Sequence, residues 1–191
     1  YLCALNFPRD PLAPKDIAQT EAALAQRVDL VFVDQGVDNQ ARFAALPLTR
    51  RPLTYTATVD YELFAPARQP RPPQDPPVCC YFGDVRANVD LDLLQMVSAR
   101  YPLQVIGSNT DRITWQHPTL RVTGLVPHDR LPALLAEVDL ILLPYRQDDP
   151  YNRGVFPAKV YESLATGKPV IAIGLPSVEP LGDVIDIASS R

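Results

Sequence analysis

The sequence lacks the long apolar stretches and the surplus of one charge that mark several classes of protein. It has no apolar run long enough to cross a bilayer and no charged-then-apolar leader, so we expect a cytoplasmic location. The 18 basic and 22 acidic side chains give a net charge of −4, and the only dense basic spot is Arg50 with Arg51, so no nucleic-acid partner is expected. With 47% hydrophobic residues among 191, the chain suits one large globular domain or two smaller ones. Because it begins with Tyr1 and not with methionine, we expect a fragment of a longer protein.

Cysteine and histidine are also scarce, which argues against disulfide and metal sites. Two of the three cysteines, Cys79 and Cys80, are adjacent in the apolar run "PVCCYFG". Neighbouring strand residues point to opposite faces, so both thiols are predicted to be small packing groups. Neither His117 nor His128 has a partner at metal-ligand spacing, and His128 is predicted to be a neighbour of a helix cap and not a base.

Three further features of the sequence give only weak evidence of function. Asp148 and Asp149 stand beside a proline in a predicted loop, and we expect this pair to be solvated and not to bind a metal. The segment "YFGDVRANVD" has one glycine where the dinucleotide fingerprint G-x-G-x-x-G needs three, so a dinucleotide-binding enzyme is disfavoured. Trp115 and Tyr151 either stack on a ligand ring or pack in the core or a loop, and the sequence leaves both open.

Proline, by contrast, is abundant. Six of the thirteen residues in "APARQPRPPQDPP" (65–77) are proline, and this segment is predicted to be a stiff extended connector without a helix. It divides the chain into 1–70, the end of one α/β domain with a hinge, and 71–191, a second domain. Before the connector, "IAQTEAALAQRV" and "NQARFAALP" are predicted helices, and "DLVFV" and "PLTYTATV" are predicted strands.

After the connector, strands and helices alternate regularly. The predicted strands are "VCCYFG", "LQVIG", "LRVTG", "DLILLP", "KPVIAIG" and "DVIDIA", and the predicted helices are "VDLDLLQMVSARY", "DRLPALLAEV" capped by Asp129, and "FPAKVYESLAT". Unbroken apolar strands that alternate with helices indicate an α/β fold, a Rossmann-like, doubly wound parallel sheet. In such sheets, ligands bind beyond the carboxyl ends of the strands.

The last predicted helix follows a polar loop and carries a candidate site. Pro157 is expected in its first turn, where the free amides and the positive helix end would bind a phosphate. Lys159 adds a positive charge, and Glu162 lies one turn further on the same face, where a carboxylate suits sugar hydroxyls. A phosphate site at the start of the helix, followed one turn later by a ribose site, matches the arrangement of a nucleotide diphosphate. On spacing alone, an ordinary solvated Lys/Glu pair is an equal alternative.

Three segments resemble the family 4 type glycosyltransferases of bacterial polysaccharide and teichuronic-acid assembly. "PAKVYESLATGKPVIA" resembles the donor-site helix of that family, "LRVTGLVPHDRLPALLAEVDLILLPYR" the segment before it, and "VCCYFGDVRANVDLDLL" the first strand and glycine loop. The similarity runs from residue 78 to the end. "VDLVFV" and "TVDYELFAPA" resemble the tail of the partner domain and the hinge, although Thr58 stands where glycine is usual.

The resemblance implies a GT-B fold, in which the first domain holds the acceptor and the second holds a nucleotide-sugar donor. Lys159 and Glu162 would form the catalytic centre, with Lys159 neutralising the diphosphate and Glu162 binding the ribose. The remaining donor contacts it implies are Gly83 and Arg86 near the diphosphate, Gly124 to Val126 against the nucleobase, and the backbone of Phe156 and Pro157 at the phosphates. Many members have a glutamate that touches the donor sugar eight positions before the ribose glutamate, but Gly154 stands there.

The activity implied is transfer of a sugar, with retention, from a UDP- or GDP-sugar to a glycan or lipid-linked acceptor, without a cofactor or a metal. A part of the protein outside this chain would then associate peripherally with the inner face of the membrane. Two alternatives stay open. One is a relative that binds a nucleotide sugar without transferring it, which Gly154 favours; the other is a UDP-sugar epimerase of the same architecture, whose carboxylate and histidine set is not evident.

Overall fold

The computed structural model describes residues 17–72 and 74–188. Its first part contains helix α1 (Ile17–Ala25), strand β1 (Phe32–Val33), helix α2 (Val37–Ala44) and strand β2 (Leu53–Thr54). The two strands pair in parallel as a sheet of their own, with Phe32 opposite Leu53. The alternation predicted for this part is confirmed, although each strand is only two residues long.

The hinge segment is more helical than the sequence indicated. Helix α3 (Tyr61–Phe64) begins after Asp60, whose carboxylate accepts a hydrogen bond from the Leu63 amide at 3.1 Å. A 3-10 helix (Ala65–Arg68) continues it, so the prediction of no helix in residues 65–77 is wrong at their start. Proline is tolerated in a first helical turn because its missing N–H would have no partner there. Phe64 and Ala67 are fully buried in the main core, while the domain boundary near residue 70 stays a prediction.

The second part is an α/β unit. Its strands are β3 (Cys79–Phe82), β4 (Leu103–Ile106), β5 (Leu120–Thr123), β6 (Leu140–Pro144), β7 (Val170–Ile173) and β8 (Asp186–Ile187), and its helices are α4 (Leu91–Ser98), α5 (Leu131–Leu135) and α6 (Lys159–Ala165). All six strands are parallel, in the order β5-β4-β3-β6-β7-β8. The chain therefore winds outward from β3, crosses back to β6 and winds the other way, which is the doubly wound Rossmann order. The predicted fold is confirmed.

Apolar burial holds this unit together. All four residues of β3 are buried, and Cys79 and Cys80 are free thiols inside the sheet, as predicted for packing residues. Burial, assisted by the charge of Asp139, raises the pKa of Cys79 to about 11, so both the geometry and the chemistry of this thiol are those of a core residue. Leu94 and Ser98 of α4 are buried, on the side of the helix that packs against the sheet.

Two acidic residues differ from their predictions. Asp129 was expected to cap a helix, but residues His128–Arg130 form a 3-10 turn and α5 begins only at Leu131, so Asp129 lies before that helix. Asp149 was expected to be solvated; instead it is buried and accepts a hydrogen bond from the Tyr151 amide at 3.0 Å, at the start of the 3-10 helix Pro150–Arg153. Every helix in the described ranges is too short or too polar to span a bilayer.

Candidate functional site

A pocket of about 380 Å³ opens at the carboxyl edge of the six-stranded sheet. It lies among the ends of β3 and β4, the turn after β5 and the beginning of α6. Its lining residues are Phe82, Gly83, Ile106, Gly107, Leu125, Val126, His128, Leu131, Ala158, Lys159 and Glu162. The fold thus brings together four of the predicted site residues, namely Gly83, Val126, Lys159 and Glu162, from parts of the chain that are far apart in sequence.

Lys159, the first residue of α6, is enclosed by two buried tyrosines. Its Nζ donates a hydrogen bond to the Tyr81 hydroxyl at 3.1 Å and lies 4.5 Å from the centre of the Tyr81 ring and 5.7 Å from that of Tyr145. Burial lowers the pKa of Lys159 to about 8, although the negative charges of Glu162 and Asp84 act in the opposite direction. The ammonium is therefore desolvated and held in place before any ligand binds.

Glycine is needed beside this ammonium. Gly83 follows β3 with φ of +121°, and a Cβ built on it would lie 2.2 Å from the Lys159 Nζ. Gly107 follows β4 with φ of +148°, and a Cβ there would lie 1.9 Å from the Gly83 carbonyl oxygen. Both positions combine a backbone conformation that side chains rarely adopt with a close approach of other atoms. The lysine charge consequently lies directly against the main chain at the end of the central strand.

Glu162 lies one helical turn after Lys159 and is largely buried. Its Oε1 is 3.0 Å from Nε2 of His128, and the His128 ring makes an edge contact with Phe64, with 5.5 Å between ring centres. His128 was predicted to be only a neighbour of a helix cap, and that interpretation missed its contact with Glu162. The two side chains are 34 positions apart, so no local pattern could have indicated the pair.

Arg86 does not join the pocket. Its side chain is 65% exposed and its Nε donates to Asp84 Oδ2 at 2.5 Å. Asp84 also accepts from Ser108 Oγ at 2.9 Å and from Asn109 Nδ2 at 2.5 Å. Burial alone would raise the pKa of Asp84, but these hydrogen bonds, with Arg86 foremost, lower it. In this structure Arg86 neutralises a neighbouring carboxylate, and its role at the diphosphate stays a prediction.

Two other predicted contacts, Phe156 and Pro157, also lie outside the pocket lining. Pro157 was expected in the first turn of α6, but it lies two residues before that helix, which begins at Lys159. The Pro157 carbonyl accepts a hydrogen bond from the Val160 amide at 3.0 Å. Phe156 is half-buried and packs against the ring of Tyr161 at 5.2 Å. The proposed backbone contacts of Phe156 and Pro157 with phosphate stay predictions.

The turn predicted to face the nucleobase, Gly124 to Val126, reaches the pocket through its last two residues. A Cβ on Gly124 would meet nothing within 4 Å, so no contact requires glycine there, and Gly124 is not among the lining residues. Leu125, which the sequence interpretation did not single out, lines the pocket beside Val126 and is 80% exposed.

The loop before α6 is held by the first part of the chain. Asn39 is buried and its Nδ2 donates to the Gly154 carbonyl at 2.6 Å. A Cβ on Gly36 would lie 2.3 Å from the same carbonyl oxygen, and the Tyr161 hydroxyl donates to Gln35 Oε1 at 2.9 Å. Position 154 therefore contacts the preceding α/β segment through its backbone.

The remaining candidates have structural partners. The ring of His117 contacts the Thr119 hydroxyl at 2.6 Å through Nδ1, and the Trp115 indole donates to Ser98 Oγ at 3.1 Å. Asp148 pairs with Arg146. No group of three or more histidine, cysteine, aspartate or glutamate side chains at metal-binding distances occurs in residues 17–72 and 74–188.

Residues 77–184, more than half of the chain, match the family described as "Glycosyl transferases group 1". The chain belongs to this family. It is 27% identical to TuaH of Bacillus subtilis (strain 168), which is named as a teichuronic acid biosynthesis glycosyltransferase; the match covers 87% of this chain and 46% of that protein.

Among solved structures, sucrose-phosphate synthase (tll1590) from Thermosynechococcus elongatus superposes with a TM-score of 0.62 at 17% identity. The match covers 88% of this chain and 46% of the synthase. At that identity the likeness concerns the fold, and it confirms the expected GT-B architecture. The chain spans about half the length of each of these two proteins.

Proposed function

We propose that the pocket binds the nucleotide diphosphate of a nucleotide-sugar donor, and that the whole protein transfers the sugar to a glycan or lipid-linked acceptor. One observation carries this proposal: Lys159 and Glu162 open onto the same pocket, with the Gly83 main chain against the ammonium. A lipid-linked acceptor would bring the protein to a membrane surface.

The chemistry expected of Lys159 is electrostatic. As the sugar leaves, negative charge develops on the diphosphate, and a desolvated ammonium stabilises that charge more strongly than a hydrated one. Removal of one such contact typically costs on the order of a hundredfold in rate. We propose that the diphosphate itself receives the acceptor proton and that the anomeric configuration is retained, with no cofactor and no metal.

The remaining lining suits a nucleoside. A carboxylate accepts hydrogen bonds and cannot donate them, so Glu162 is suited to the hydroxyl donors of ribose. Leu125, Val126 and Leu131 supply an apolar surface on which a nucleobase can lie. Lysine, carboxylate and apolar surface together fit a nucleoside diphosphate.

Calorimetric titration of the whole protein with UDP, GDP and ADP, and with their nucleosides, tests the binding site. Lys159→Ala should weaken the diphosphates far more than the nucleosides, because it removes a positive charge. Glu162→Gln should weaken both alike, since charge-assisted hydrogen bonds are roughly twice as strong as neutral ones. Lys168→Ala, which removes a lysine outside the pocket lining, is the matched control and should bind normally. If both site variants bind like the wild type, the assignment is wrong.

A turnover assay separates transfer from the alternatives. Transfer releases a nucleoside diphosphate and forms a new glycosidic bond, epimerisation yields an isomeric nucleotide sugar without release, and a binding-only relative does neither. Gly154 favours the binding-only alternative, because it has no side chain to contact a donor sugar. We expect transfer that survives EDTA. Loss of turnover on chelation, restored by magnesium or manganese, would contradict a metal-independent mechanism.

A further inference from the structure

His128 holds a fixed position between the hinge segment and the pocket carboxylate. It begins the 3-10 turn His128–Arg130, close after Leu125 and Val126. The edge of its ring rests on Phe64, which is fully buried in the main core, and its Nε2 is 3.0 Å from Glu162 Oε1. Although 58% of the His128 side chain is exposed, both ends of the ring contact ordered groups.

The direction of this hydrogen bond follows from the chemistry of its partners. An ionised carboxylate can only accept hydrogen bonds. The Nε2 atom of His128 is therefore the protonated ring nitrogen and donates a hydrogen bond to Oε1. Within the described ranges, the Glu162 side chain makes this one hydrogen bond. One carboxylate oxygen is therefore occupied by histidine, and the other remains for a ligand.

A bond of this kind fixes an otherwise loose group. The terminal torsion of a glutamate is broad and roughly two-fold, so an isolated carboxylate rotates freely about it. Fixing it in advance lowers the entropy lost when a ligand binds. This fixing raises the affinity only for ligands that form a hydrogen bond with the carboxylate.

We propose that His128 is a positioning residue that orients the Glu162 carboxylate for ribose, so that the site prefers ribonucleoside diphosphates over their deoxy forms. This inference rests on the proposed nucleotide-binding function. It assigns to His128 no proton transfer and no contact with the phosphates; the histidine acts through Glu162.

The test compares UDP, GDP or ADP, whichever binds most tightly, with its 2′-deoxy and 3′-deoxy forms by calorimetric titration into the whole protein. His128→Ala should weaken the ribonucleotide roughly three- to tenfold, because the carboxylate must then be ordered on binding and not in advance, and weaken at least one deoxy form less. His128→Gln keeps a terminal N–H donor and should restore most of the affinity. His117→Ala removes the other histidine, which is outside the pocket lining, and should bind like the wild type.

A double-mutant cycle separates action through Glu162 from a direct ligand contact. In the Glu162→Ala background, adding His128→Ala should change affinity by less than about twofold, because the group that His128 orients is then absent. Thermal melts accompany every variant.

Each outcome is decisive. If the wild type binds no nucleoside diphosphate, the proposed function fails and this inference fails with it. If the wild type binds but His128→Ala binds equally well, only the inference is overturned. A full loss that persists in the Glu162→Ala background also overturns it, as does a loss that follows a lowered melting temperature and is not restored by His128→Gln.

Discussion

Raising the pH from 7 to 9 should weaken binding of the diphosphate. Burial lowers the pKa of Lys159 to about 8 in the free protein; the nearby charges of Glu162 and Asp84 raise it, and that of Arg86 lowers it further. A bound diphosphate places negative charge beside the ammonium and so favours the protonated form. Binding above pH 8 must therefore take up a proton, and the affinity falls as protons become scarce.

The magnitude follows from the titration curve. A group with a pKa near 8 is about 90% protonated at pH 7 and about 10% protonated at pH 9. If the bound state keeps the lysine charged throughout, the apparent affinity falls in the same ratio, roughly tenfold, or about 1.4 kcal/mol. The terminal phosphate is already about 90% ionised at pH 7, since its second pKa is about 6, so its own titration raises the affinity only slightly over this range.

The assay is calorimetric titration of the tightest-binding nucleoside diphosphate at pH 7, 8 and 9, in buffers of different ionisation enthalpy so that proton uptake is measured directly. Lys159→Met keeps a long apolar side chain and removes the charge, so its weaker affinity should vary with pH only as the ligand itself does. An affinity of the wild type that stays constant or rises with pH, or a slope equal to that of Lys159→Met, would refute the placement of the diphosphate at this lysine.

Two glycine substitutions test the geometry around the site. Gly83→Ala should cost roughly 1–3 kcal/mol of unfolding free energy, because φ is +121° there, and its Cβ would displace the Lys159 ammonium; denaturant unfolding and titration with a diphosphate should both report the loss. Gly36→Ala should destabilise the protein by a similar, roughly 1–3 kcal/mol amount, because its Cβ would meet the Gly154 carbonyl oxygen at 2.3 Å. Gly124→Ala, which has open space around it, is the stability control for both, and equal melting temperatures for all three would contradict the packing described.

The sheet was predictable because its strands are buried on both faces. Segments such as "DLILLP" are continuously apolar, short and bounded by turn residues, and that pattern survives without any knowledge of neighbouring strands. Helix α3 was not predicted, since four residues are too few for a periodicity, although Asp60 is a typical N-cap. The position of Asp149 could have been predicted as well, because an acidic residue directly before a proline, here Pro150, is typical of a helix start.

The site was only half predictable. Lys159 and Glu162 share one helix, and their spacing indicated a common face. The groups that determine their chemistry come from elsewhere: Tyr81 is 78 positions from Lys159, and His128 is 34 positions from Glu162. Such contacts depend on which strands become neighbours in the sheet, and a local pattern of residues contains no information about that.

The burial of the Lys159 ammonium is unfavourable, and its position at the edge of a pocket is itself an argument for a ligand. Between pH 8 and 10.5 Lys159 is more protonated in the unfolded chain than in the folded one, because burial lowers its pKa. The free energy of unfolding therefore rises with pH across this range, as the folded protein loses the buried charge. Keeping it charged at pH 7 costs on the order of 3 kcal/mol, from a lowering of about 2.5 in pKa. Local rules are usually broken where function requires it, and a nucleoside diphosphate would offset this cost by neutralising the charge.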